Sequence, residues 1–184
     1  MNYPFSLKYG IFLAPIAIVM PTYAADYLTE VQAQKVLFSE ADEFIQNSVT
    51  LTNEQISKIK SLAGVRQRIQ QPRIWKALKK GRSLGTFVID EVIGKHEYIT
   101  YAVAISPEET VLGIEIMSYR ETHGGEVREA NWRKNFKGKK LSDPFKLDVD
   151  VPNITGATLS SRNILDGVKR VLVLLQVVEN GKTL

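Results

Sequence analysis

Cysteine is absent from all 184 residues. That absence excludes a lipid-modified cysteine, a disulfide framework, thiolate-bound clusters and the attachment of a c-type haem. Histidine is scarce, with only His96 and His123. They stand far apart in sequence, no ligand spacing joins them to carboxylates, and no zinc site is signalled. A dominant charge is also missing: 24 Lys and Arg against 20 Asp and Glu leave +4. So small an excess gives little footing to an anionic partner. The basic clusters Lys79-Lys80-Gly81-Arg82 and Lys137-Gly138-Lys139-Lys140 read as solvated loops, and no nucleic-acid partner is expected. No repeat, low-complexity tract or long linker divides the chain.

The amino terminus has the order of a secretory signal peptide. Lys8 is its one charge, the apolar stretch Ile11 to Met20 follows, and Thr22-Tyr23-Ala24-Ala25 offers small residues for cleavage. Pro15, Pro21 and the short apolar run fit a membrane anchor poorly, since a span needs roughly 20 apolar residues. Residues 1–24 are therefore expected to be a signal peptide cleaved near Ala24. Residues 25–184 would form one periplasmic domain, long enough to bury a core.

Residues 27–47 read as a helix, with Val31, Val36, Leu37 and Phe44 among its apolar positions. Thr52-Asn53-Glu54-Gln55 is a capping box opening a second helix, which stops at Gly64. Strands are predicted at Arg73–Leu78, Gly85–Val92, Tyr98–Ile105 and Thr110–Tyr119, the last two paired across a turn at Ser106-Pro107-Glu108-Glu109. Leu112, Ile114 and Ile116 share one face of the last strand by period. Val127–Phe136 reads as a short helix, and Phe145–Val151 alternates without a break, as a half-buried strand does. A final helix is expected from about Ser161 to Val178, burying Ile164, Leu165, Val168, Val171, Leu172 and Leu175. The fold class is α+β: an antiparallel sheet with N-terminal helices and a C-terminal helix packed on it.

Two segments carry the chemistry. In Thr155-Gly156-Ala157-Thr158-Leu159-Ser160-Ser161, small residues leave the backbone open to a bulky group, and hydroxyls precede the last helix. A helix start offers free N–H groups and the positive end of its dipole, which together favour a phosphate. A tight turn with Ser160 or Ser161 capping the helix explains the same residues. In Tyr119-Arg120-Glu121-Thr122-His123-Gly124-Gly125-Glu126, paired glycines permit a sharp turn against a flat ligand; an ordinary strand-to-helix loop would use them as well. Trp132 is read as a packing residue, and Ser160 and Ser161 lack the partners of a hydrolase triad.

Residues 98 to about 175 resemble the FMN-binding domain of the periplasmic flavin-bearing subunits of Rnf and sodium-translocating NADH:quinone oxidoreductase complexes. The resemblance rests on an ordered set: Glu121-Thr122-His123-Gly124, Trp132, Phe136-Lys137-Gly138-Lys139 and Thr155-Gly156-Ala157-Thr158. It implies FMN joined covalently, as a phosphoester, to Thr158 by an exported flavin transferase that uses FAD and magnesium. It also implies that Thr155, Gly156 and Ala157 shape that site, that Ser160 and Ser161 bond the phosphate, and that Glu121, Thr122 and Gly124 lie near the ring. The chain departs from the family pattern at Pro152, where an acid is usual, at His123, where Pro is common, and at Glu126, where Gly is common.

The function so implied is a periplasmic electron carrier rather than a stand-alone enzyme, with redox partners such as cytochromes or a membrane electron-transport complex. A flavin-dependent reductase of a small exported substrate is the first alternative, with Arg120, Glu121 and His123 as the acid–base choices. A binding or scaffold module that never receives flavin is the second, favoured by Pro152. No nicotinamide-binding fingerprint appears.

Overall fold

A computed structural model describes residues 25–180, so the expected signal peptide lies outside the described residues. The sheet is antiparallel and six-stranded: β1 (Ala25–Asp26), β2 (Glu43–Gln46), β3 (Arg73–Lys79), β4 (Arg82–Ile93), β5 (Tyr98–Ile105) and β6 (Val111–Tyr119). Their order across the sheet is β1-β6-β5-β4-β3-β2. Four α-helices join them: α1 (Glu30–Leu37), α2 (Asn53–Ala63), α3 (Ala130–Arg133) and α4 (Thr158–Asn180). Short 3-10 turns flank α3 at Gly125–Arg128 and Lys134–Phe136. The fold is α+β, with the C-terminal helix on the sheet, as expected.

Alternation along the strands buries both faces. Ile74, Val88, Ile99, Tyr101, Val103, Ile114 and Ile116 share a core with α4 and with Leu51, Ile59 and Ala63 from the α2 region. Trp75, Phe87, Ile89, Ala102, Ala104 and Met117 form the opposite core under α1 and Phe38. Burial of α4 is wider than one stripe: all six apolar positions named from the sequence are buried, and so are Val173, Leu174, Val177 and Val178.

Four departures from the sequence reading have physical causes. Residues 27–47 are one short helix and a strand. A capping box of Thr29 and Gln32 opens α1, which ends at Phe38, and Phe44 then pairs with Ala77 in β2. Val31 and Val36 face outward, 56% and 55% exposed, so the apolar spacing there overstated the helix. In β6 the register shifts between Ala104 and Ile105, placing Val111 in the core and leaving Leu112 37% exposed. The Val127–Phe136 region is broken into the four-residue α3 and the two 3-10 turns that flank it.

The fourth concerns Phe145–Val151, which is a knotted turn rather than a strand. Phe145 and Asp148 sit at φ 50° and 62°. The amide of Asp150 donates to Lys146 O at 2.9 Å, and its carboxylate accepts from Lys146 N at 2.9 Å. The same carboxylate pairs with Lys139 Nζ. Side chain-to-backbone bonds of this kind compete with a strand ladder. Phe145 and Val151 are buried while Val149, in the same alternating set, is 65% exposed, so the alternation in the sequence is not matched by alternating burial.

Candidate functional site

Three loops meet at one end of the sheet: the β4–β5 turn around Gly94–Glu97, the segment leaving β6 at Arg120–Gly124, and the approach to α4 at Ile154–Ala157. Contact between the last two is steric. Gly124 has φ 86°, and a Cβ there would lie 2.1 Å from Ala157 Cβ and 2.6 Å from the Tyr119 hydroxyl. The backbone can come this close only at glycine, and only if its neighbour is small. Tyr119 secures the loop by donating its hydroxyl to His123 O at 2.5 Å, and its oxygen lies 3.3 Å from Ser160 Oγ. Burial, first, raises the Tyr119 phenol above its ordinary value, so it remains a donor.

The Glu121 side chain clasps the β4–β5 turn. One carboxylate oxygen accepts from His96 N at 2.6 Å and from Glu97 N at 3.0 Å. A Cβ at Gly94 would lie 2.4 Å from that oxygen, so the turn can wrap it only because Gly94 has no side chain. Burial pushes the carboxyl upward, but the amides of Glu97, His96 and Lys95 outweigh it and hold the group below its usual range.

Between these loops lies an open cavity of about 390 Å³. Lys95, His96, Glu121, Thr122 and His123 line one side; Gly156, Ala157, Thr158, Leu159 and Ser160 line the other. Its size falls within the range of ligand clefts. Thr122 Oγ1 and His123 Nδ1 are 2.9 Å apart at its rim. Thr158 also borders a second cavity, of about 310 Å³, with Lys146, Asp148, Asn153, Arg162 and Asp166.

The helix start faces the cavity uncapped by side chains. Helix α4 begins at Thr158, three residues before the sequence suggests, and Ser161 N donates to Ala157 O at 3.0 Å. The amides of Thr158, Leu159 and Ser160 therefore lack intrahelical acceptors. Neither serine caps the helix: Ser161 Oγ donates to Ala157 O at 3.2 Å and is fully buried, and Ser160 Oγ, 3% exposed, lies against Tyr119. Thr155 is exposed and stands outside the cavity wall. Thr158 is half-buried, borders the cavity, and makes no side-chain hydrogen bond within the described residues.

Six of the nine residues singled out by sequence thus line the cavity: Glu121, Thr122, Gly156, Ala157, Thr158 and Ser160. Gly124 shapes it from behind, Ser161 is sealed in the core, and Thr155 points elsewhere. Lys95 and His96 are wall residues that sequence reasoning missed; nothing in a hairpin turn signals which loop it will meet. The other motif residues brace the approach to Thr158. Trp132 Nε1 donates to Pro152 O at 2.9 Å, Phe136 is buried edge-on to Trp132, and Lys139 holds Asp150. Asp148, near the position where Pro152 replaces the usual acid, lines the second cavity beside Thr158.

An FMN group fits this arrangement. Thr158, Leu159 and Ser160, whose amides lack intrahelical acceptors, line a cavity of ligand size, and nothing lies within 4 Å of a Cβ at Gly156. Among the described residues no helix is long and apolar enough to cross a membrane, and no cluster of metal-ligating side chains occurs.

Residues 94–173 match the FMN-binding domain family. The chain is similar to a component of the proton-translocating ferredoxin:NAD(+) oxidoreductase complex of Clostridium ljungdahlii, at 25% identity over 184 residues, covering 94% of this chain and 87% of that one. The crystal structure of Shewanella oneidensis NqrC shares the fold, with a TM-score of 0.55 at 18% identity over 79% of this chain and 88% of that one. Every residue of the cavity wall falls within the stretch that matches the FMN-binding domain family.

Proposed function

We propose that this chain is an exported flavin carrier, with FMN joined through its phosphate to Thr158 Oγ and electrons passing through the ring between partner proteins. One observation carries the reading. Two segments more than thirty residues apart meet at the Gly124–Ala157 contact and enclose a cavity on which Thr158 presents an uncommitted hydroxyl.

The bond forms when Thr158 Oγ attacks the FMN phosphorus of FAD on an exported flavin transferase. The pyrophosphate link breaks, AMP leaves, and the hydroxyl proton is released. Once attached, the flavin supplies the electron storage. The chain would supply position: the first amides of α4 and its dipole would hold the phosphate, Gly156 would leave room for it, and Thr122 and His123 on the facing wall would lie toward the ring. A covalent tether keeps the cofactor from dilution in a compartment where a cysteine-free protein has few other ways to retain it.

The similarity to a component of a membrane redox complex supports a membrane electron-transport complex as a partner, with cytochromes as one-electron partners. Cleavage after Ala24 would release the periplasmic form at Ala25, where β1 begins. A reductase acting on a small substrate would need a free acid at the ring. The one carboxylate on the cavity wall belongs to Glu121, and the β4–β5 turn occupies it.

Co-expression of the full chain with a flavin transferase in a Gram-negative host tests the reading. Intact-mass spectrometry should show the mature chain, lacking residues 1–24, heavier by FMN less one water, and Thr158→Val without that gain. No mass gain in the wild type would leave a flavin-free module as the function.

A further inference from the structure

The structure assigns a tuning role to the β4–β5 turn: we propose that Lys95, held over the cavity by the Glu121 clamp, stabilises the negative charge of the reduced flavin and so raises its midpoint potential. This rests on the flavin reading above. Lys95 lies on an exposed turn, where a side chain is ordinarily mobile. Here the turn is fixed from beneath: Gly94 N donates to Glu97 O at 2.7 Å, and the Glu121 carboxylate gathers the amides of His96 and Glu97. Lys95 and His96 of this turn line the cavity that Thr158 borders.

Lys95 is the one lysine or arginine on the wall, and the one acid there, Glu121, has a carboxylate oxygen taken up by the amides of the turn, which draws its charge toward the turn. A flavin that takes two electrons from dithionite, which is oxidised to sulfite, and one proton from water ends one unit more negative than it began. An ammonium group on the wall of a partly enclosed cavity favours that charged state, and salt weakens the effect. Glu121 is the positioning residue. It acts by placing Lys95.

The test is a dithionite titration of flavin-loaded protein against a reference dye, after intact mass has shown that each variant carries one FMN. Lys95→Met should lower the midpoint, changing the ratio of reduced to oxidised flavin at a fixed poise by roughly tenfold. The shift should shrink at high salt, and Lys95→Arg should restore most of it. Glu121→Gln removes a wall charge as well as the clamp, so its shift is read against the same substitution in Lys95→Met, which reports the charge alone. Relative to that reference the midpoint should fall when Lys95 is present. Equal midpoints for loaded wild type and loaded Lys95→Met would overturn the proposal, as would a Lys95→Met protein that takes up no flavin, which would place the lysine in maturation. A wild type that gains no FMN would overturn the flavin reading itself, and this inference with it.

Discussion

Two polar regions lie along α4, and they are built on opposite principles. Toward the middle of the helix, Arg170 donates to Asp90 at 2.6 Å and to the backbone oxygens of Glu91 and Arg66, while Tyr101 donates to the same Asp90 oxygen at 2.6 Å. Both partners of that ion pair are 7% exposed. Burial, then the charge of Asp90, pushes the Tyr101 phenol well above its ordinary range, so it stays a donor. At the start of the helix the polar groups are left open. Three amides and the Thr158 hydroxyl face a cavity of about 390 Å³, whereas the cleft beside Arg170 holds about 180 Å³. The closed network answers charge with charge and stabilises the domain; the open one withholds its partners and awaits a ligand. A buried polar group without a partner is expensive, so an open set persists only where solvent or a ligand can reach it.

Substitutions sharpen this contrast, beginning with the largest expected effect. Thr158→Val should abolish the flavin adduct entirely while changing stability by no more than about 0.5 kcal/mol, as expected for a change at a half-exposed position. Intact mass and thermal melts check both halves. Asp90→Ala should do the reverse. Leaving the Arg170 charge buried and unpaired should cost about 3–5 kcal/mol by denaturant titration, with the remaining folded protein still accepting FMN.

Gly124→Ala should fall between the two, losing about 2–4 kcal/mol from its left-handed φ and the clash with Ala157, together with most of the flavin uptake. Gly156→Ala is its control. Its φ is 82°, but nothing lies within 4 Å of a new Cβ, so about 1 kcal/mol is expected.

The smallest effect concerns pH. Because the Glu121 carboxyl is held below its ordinary value of 4.5, its contribution is fully present above that pH and is lost as pH falls through the lower folded-state value. Hydrogen exchange at the His96 and Glu97 amides should therefore lose protection on acidification below 4.5 in the wild type, and Glu121→Gln should show no such step.

Much of this contrast was legible in the sequence, on the side where motifs are local. The capping box at Thr52–Gln55, the hairpin over Tyr98–Tyr119 and the buried positions of α4 follow from spacing over a few residues, and spacing survives folding. The Thr158 motif was legible for the same reason, as a small, hydroxyl-rich run before a helix. Phe145–Val151 misled because its apolar alternation matches that of a strand, whereas the turn knotted by Asp150 leaves Val149 exposed between buried Phe145 and Val151. Lys95 and His96 were invisible because their role depends on Glu121, some 25 residues later, reaching across to the turn. Arg170 was hidden inside an apolar stripe, and its partner Asp90 stands 80 residues away. Local pattern specifies elements; the pairing of distant polar groups appears only when the elements are packed.

The account rests on Thr158 alone among neighbouring hydroxyls, and peptide mapping tests that choice most directly. Trypsin cutting after Lys146 and Arg162 releases residues 147–162, which hold Thr155, Thr158, Ser160 and Ser161 together. Fragmentation of that peptide, from protein co-expressed with a flavin transferase, should place the whole FMN mass on Thr158. An adduct on Thr155, Ser160 or Ser161, or an unmodified peptide, would contradict the account.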